Sequence, residues 1–191
     1  MNKNKLFLIT FCIFLPLFLL LLSYQLVLGF VNLTENQQQT VDFLENKQEL
    51  NLNYTVSETS HLEDVQEITT TANYFFYFTL FICTFIITYY KNNLKQIIKI
   101  FLYGGITSLS AIGIIFLFIL FSFQSSFIIF HNLFFPQGNW TFPYNSLLIQ
   151  TFPLDFFISI SIKIFLLTII FSILFILLSF LFKHGYSVKR N

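Results

Sequence analysis

Four long apolar runs, parted by polar or mixed segments, set the rhythm of the chain: residues 6–31, 72–90, 100–123 and 157–182. A helix needs roughly 20 apolar residues to cross the hydrocarbon of a bilayer, and each run is long enough. The pattern predicts an all-α membrane protein: four transmembrane helices forming one domain over residues 1–191. Lys3 and Lys5 precede the first run as they would in a signal peptide. That run is too long for a signal core, and no small-x-small cleavage motif follows it. It reads as a retained helix, kinked at Pro16. The stretch 164–182 can span by itself, so Lys163 is expected to snorkel at the interface or to contact a lipid or substrate group.

The basic residues orient the runs. Lys3 and Lys5, then Lys91, Lys95 and Lys99, then Lys183, Lys189 and Arg190 fall on one side of four spans. That side is expected to be the cytoplasm, with both termini inside. Segments 32–71 and 124–156 then face outward as loops of different character. The first holds every acidic residue except Asp155, and its only cation is Lys47. Ser57, Glu58, Thr59 and Ser60 are N-cap candidates ahead of an acidic turn, so one or two short surface helices are expected there. The second loop is apolar, with Pro136, Gly138, Pro143, Pro153 and the single Trp140. Such a loop belongs at headgroup level or in the outer leaflet.

Composition removes other classes. Apolar residues make up 55% and charged residues 10%, with a mean hydropathy of +0.73. An ordinary soluble domain carries about 25% charged residues, so a disordered chain is excluded and a soluble globule is disfavoured. A net charge of +1 leaves no basic face for nucleic acid. Cys12 and Cys83 lie inside apolar runs and are read as buried membrane thiols.

Candidate chemistry rests on histidine. His184 follows the last run among basic residues and is read as incidental. His61 lies in Glu58-x-x-His61-x-x-Asp64, a spacing that brings all three to roughly one helix face. A carboxylate there can orient an imidazole and stabilise its protonated form. His131 is expected at the outer end of the third helix, just before the Pro-Gly-Trp loop, where an ionisable group in apolar surroundings is a functional candidate. No GxSxG, P-loop, Ser/Lys dyad or local metal-binding motif is present, so no cofactor or metal is expected. Three classes stay open on these residues. They are a histidine-based enzyme, a scaffold that binds a partner through acids such as Glu45 and Glu49, and a metal-dependent hydrolase using His61, His131 and Glu58.

Two stretches carry a resemblance: Glu58 to Val65, and the run Phe130-His131-Asn132-Leu133-Phe134-Phe135-Pro136-Gln137-Gly138-Asn139-Trp140. With the loop layout, Leu147-Leu148-Ile149 and Pro153-x-Asp155, they resemble the bacterial lipoprotein intramolecular transacylase family. One position departs: Asn145 stands where an Asp is expected. The resemblance implies a bacterial cell-membrane enzyme with its active site on the outer face. Its partners would be membrane lipid and the diacylglyceryl-modified N-terminus of a lipoprotein. The acyl chain at the glycerol 2-position would move to the lipoprotein's own N-terminal amine, giving the lyso form. His61, oriented by Glu58 or Asp64, would act as base; His131 would polarise the ester and protonate the leaving oxygen, or the two roles would be reversed. Phe134, Phe135 and Trp140 would contact the lipid.

Overall fold

A computed structural model describes residues 2–188 of the chain. Lys189 and Arg190, expected to flank the last span, lie outside the described residues. In chain order the elements are α1 (Lys3–Phe30), α2 (Glu35–Leu44), α3 (Val56–Tyr89), α4 (Leu94–Phe121), α5 (Phe123–Phe134), α6 (Leu147–Thr151) and α7 (Leu154–Val188). The described residues contain no strand. Four helices, α1, α3, α4 and α7, are long and apolar enough to cross a membrane. They expose large apolar side chains such as Phe81, Ile114 and Leu181 along their outer faces. Water would not tolerate so continuous an apolar surface, whereas lipid does.

The bundle is packed through small residues on α4. A Cβ on Gly104 would lie 2.8 Å from the Phe11 ring of α1, and one on Gly105 would lie 2.7 Å from Ile176 Cγ1 and 2.9 Å from the Ser172 carbonyl of α7. Adjacent glycines on α4 thus receive two neighbouring helices on two faces, the means by which membrane helices approach closely. Phe11, Leu15, Leu19, Cys83, Ile86 and Ile100 fill the space between. Several buried hydroxyls in the bundle bond on their own helices; Ser23 Oγ donates to the Leu19 carbonyl and Ser172 Oγ to the Thr168 carbonyl, whereas the buried Ser108 Oγ of α4 has no partner among the described residues. Pro16 sits inside α1, which runs on through it as one helix.

The two ends of the bundle differ. At one end the tight α3–α4 turn meets the start of α1, where the Tyr90 hydroxyl donates to Asn4 Oδ1 at 2.8 Å. This is the basic end. At the other end α2, the first turns of α3, α5, α6 and the loops between them build a cap around Leu62, Leu148 and Phe152.

Two elements differ from the sequence-based expectation. The helix expected around Ser57 to Glu67 is continuous with the second span, and its N-cap is Thr55. No Gly or Pro separates residues 57–72, so nothing stops the helix. The third span stops at Phe121, where Ser122 leaves the helical conformation (φ −152°, ψ 71°), and α5 starts anew. His131 therefore stands on a separate short helix of the cap and not at the end of the span.

Candidate active site

Helix α3 is 34 residues long, about 51 Å at 1.5 Å per residue. A bilayer core of about 30 Å takes up its apolar part, so the N-terminal turns carrying Glu58, His61 and Asp64 stand clear of the hydrocarbon. His61 is buried there, with the Phe135 ring edge-on at 4.7 Å and Phe142 at 5.6 Å. Burial, and then the neighbouring His131, push its pKa down to about 4, while Asp64 and Asn139 work against the shift. The ring is neutral at neutral pH.

His131 is also buried, beneath Phe127 at 3.9 Å and Trp140 at 4.9 Å. Its Nδ1 lies 2.8 Å from the Phe127 carbonyl, one turn back on α5. A carbonyl only accepts, so Nδ1 holds the hydrogen and Nε2 of the neutral ring keeps a lone pair. Burial lowers the pKa of His131 against the pull of that hydrogen bond. The two imidazoles face each other with centroids 6.3 Å apart and planes inclined by 30°. Among the described residues, neither ring hydrogen-bonds a Ser, Thr or Cys.

The two carboxylates beside His61 serve different partners, and neither accepts a hydrogen bond from its ring. Glu58 faces the other way. Its Oε2 accepts from the Thr55 amide and hydroxyl, and its Oε1 accepts from the Leu148 amide, each at 2.8 Å. Burial acts to raise its pKa, but these donors outweigh burial and hold it below the usual carboxylate range. Glu58 is thus the clasp between α3 and α6, and of the two carboxylates expected to orient His61 it is the one whose oxygens are turned to other partners. Asp64 Oδ2 accepts from Gln137 Nε2 at 2.8 Å and from Asn139 Nδ2. It moors the turn after α5 onto α3.

Of the other expected residues, Phe135 is buried against His61, and Trp140 covers His131. Phe134 is exposed and packs on Phe130, one face away from the pair. Lys163 is exposed on α7. Asn145 is exposed as well, outside the pair. Asn139 is the residue that sequence reasoning passed over. Its Nδ2 is spent on Asp64, whereas its buried Oδ1 and His61 Nδ1 both lack a hydrogen bond of full geometry. The only signal for it was its place in a Pro-x-Gly-Asn turn between His131 and Trp140.

The family pattern described as lipoprotein intramolecular transacylase Lit matches residues 6–157. No curated protein matches the chain in sequence. A solved structure of the membrane-integral lipoprotein intramolecular transacylase from Bacillus cereus has a TM-score of 0.85 at 20% identity, covering 97% of this chain and 98% of that one. A His-to-Arg variant of that protein gives 0.76 at 20% identity over 97% and 94% of the two chains. A His-to-Ala variant gives 0.75 at 21% over 98% and 95%. At these identities the structures establish the four-helix membrane fold. The family match runs from α1 into α7 and takes in both buried histidines. The chain belongs to the lipoprotein intramolecular transacylase family, membrane-integral acyltransferases whose substrate is a lipoprotein.

Proposed function

We propose that this chain moves the acyl chain on the glycerol 2-position of a diacylglyceryl-cysteine lipoprotein to that lipoprotein's N-terminal amine, with His61 and His131 as the acid–base pair. The observation that carries the assignment is the pair itself: two buried imidazoles face to face, one of them already holding its proton on Nδ1. The nitrogen bonds to the ester carbonyl carbon, and the bond from that carbon to the glycerol oxygen breaks. The proton shed by nitrogen ends on that oxygen.

The substrate supplies nucleophile and electrophile together, so positioning does much of the work and no Ser or Cys nucleophile is needed. An α-amine has a pKa near 8 and must lose a proton before it attacks. A neutral imidazole can take that proton on its bare Nε2, and the imidazolium so formed, at either ring of the pair, then delivers it to the leaving oxygen. The low pKa of His61 keeps it in the accepting form. We assign Asn139 the task of turning His61. With the ring proton on Nδ1, His61 donates to the free Oδ1 of Asn139, whose Nδ2 donates to Asp64. Asp64 then backs the imidazole through one amide, and His61 Nε2 is left for the substrate. The aromatic wall of Phe135, Phe142, Phe127 and Trp140 keeps water from competing with the amine.

The bias of lysines toward the α3–α4 end supports a cytoplasmic basic end, with both termini inside and the histidines at the outer surface. Phe134 and Lys163, away from the pair but exposed, are proposed to contact lipid chains and headgroups.

The test is expression in a bacterium whose lipoproteins keep a free diacylglyceryl-cysteine amine, followed by fragmentation of the N-terminal lipopeptide in a mass spectrometer. Intact mass does not change, so only fragments locate the chain. The expected result is an amide-linked acyl chain and one on glycerol. Both chains remaining on glycerol, with the protein shown to be inserted, would refute the assignment.

A further inference from the structure

At the basic end, far from the histidines, a cleft of about 280 Å³ opens between the starts of α1 and α4, lined by Asn2, Asn4, Lys5, Leu8, Gln96 and Lys99. Its chemistry is one-sided. Lys5 and Lys99 reach it from different helices. Two of the three amide oxygens are already engaged: Asn2 Oδ1 accepts from the Asn4 amide and Asn4 Oδ1 accepts from the Tyr90 hydroxyl. The side-chain amides of Asn2, Asn4 and Gln96 add N–H donors to the two ammonium groups. The N-termini of α1 and α4 add the positive ends of two helices. No Asp or Glu lies nearer in sequence than Glu35 on one helix and Glu67 or Asp155 on the others, and all three belong to the opposite end. Two ammonium groups sharing a cleft repel unless an anion lies between them.

We propose that this cleft binds a phosphate group, that of an anionic membrane phospholipid. Its volume falls just below the ~300–1,000 Å³ of pockets that enclose drug-sized molecules, which suits a headgroup whose chains remain outside. Those chains have a track. Leu8 closes the inner side of the cleft, and the exposed Leu6, Ile9 and Ile13 of α1 and Tyr103 and Ile106 of α4 continue toward mid-membrane. The occupant is not the reacting lipoprotein. Helix α1 is 28 residues, about 42 Å, so the cleft and the histidine pair lie near opposite surfaces of a ~30 Å core. The bound lipid clamps α1 to α4 across the basic end, where the two helices share no ion pair among the described residues.

The full-length protein in a neutral detergent provides the test. Its thermal midpoint is followed by circular dichroism while phosphatidylglycerol, phosphatidylcholine or inorganic phosphate is added. Phosphatidylglycerol is expected to raise the midpoint of the wild type in a saturable way, and phosphatidylcholine is not. The double variant Lys5→Gln/Lys99→Gln should weaken the apparent affinity about thirtyfold, two lysines at the usual strength of a basic side chain near an anionic surface. The charge-matched Lys3→Gln/Lys95→Gln, whose lysines do not line the cleft, should leave it within a factor of about three. Equal losses in both pairs would reduce the effect to diffuse surface charge and overturn the proposal. A rise of equal size with inorganic phosphate alone would assign the cleft to a free anion and overturn its lipid occupant. Retained lipid in native mass spectra of the wild type, absent from Lys5→Gln/Lys99→Gln, would support it independently of any melting shift.

Discussion

The bundle and its cap are held by different physics. In the bundle, shape decides: Gly104 and Gly105 let α1 and α7 close on α4, and hydroxyls such as those of Ser23 and Ser172 bond within their own helices. In the cap, a few polar bonds between distant segments decide. Glu58 holds α6, Asp64 holds the turn after α5, and Gln37 Nε2 donates to the Thr151 carbonyl at 2.8 Å. In lipid there is no hydrophobic drive between helices, so close packing must serve. In the cap the elements are short, and α6 has only five residues, too few to stand by themselves. The cap can therefore be undone one bond at a time while the bundle stands, and the histidine pair belongs to the cap.

That difference can be attacked from both sides. The largest effect is expected from Glu58→Ala. It orphans the Leu148 amide and strips the α3 cap, a local loss of about 3 kcal/mol for charge-assisted bonds. Hydrogen exchange at Leu148 should accelerate about a hundredfold and acyl transfer should fall with it, while helix content stays unchanged. Next, Gly105→Ala drives a Cβ into the Ser172 carbonyl and Ile176. It should cost the bundle about 1–3 kcal/mol, read as a lower thermal midpoint. Gly113→Ala, with nothing within 4 Å of the new Cβ, should be neutral or slightly stabilising.

Acid should loosen the cap before the bundle. The folded pKa of His61, about 4, lies below its ordinary 6.5. Its contribution is present above pH 6.5 and is lost as pH falls from there through about 4. Protection factors of cap amides, taken relative to the intrinsic exchange rate at each pH, should therefore fall with acidity over that window, and His61→Gln should flatten the fall. Asn139→Ala is expected to lower transfer about tenfold, and to redistribute the ring proton between the two nitrogens of His61 in a 15N spectrum. The smallest effect belongs to Lys163→Gln, expected within about 0.5 kcal/mol in stability because the side chain is exposed.

The membrane fold was legible because four apolar runs leave few other solutions, and the histidines stood out because ionisable groups are rare in such a chain. The cap was not legible to the same depth. Glu58 and Asp64 sit symmetrically about His61, and local spacing suggested that either could orient it. Their partners are 90 and 75 residues away, at Leu148 and Asn139, which no helix periodicity reveals. The end of the third span was legible within two residues of Ser122, but helix α5 was not, because its apolar residues Phe123–Phe134 read as a membrane-dipping loop. Phe134 and Phe135 are identical in sequence terms, yet the turn of α5 buries one against His61 and leaves the other exposed.

The most direct test of the histidine pair is a transfer rate measured on the purified protein in nanodiscs. The substrate is a synthetic diacylglyceryl-cysteine peptide whose 2-acyl chain carries an isotopic label, and fragment masses report the label's arrival on the amine. His61→Gln, His131→Gln and the double variant are compared with wild type. Each single change is expected to cost about 10²–10⁴ in rate, and the double little more than the worse single, because the two rings act as one unit. A single variant, folded and inserted, that moves the label at the wild-type rate would contradict the assignment of the pair.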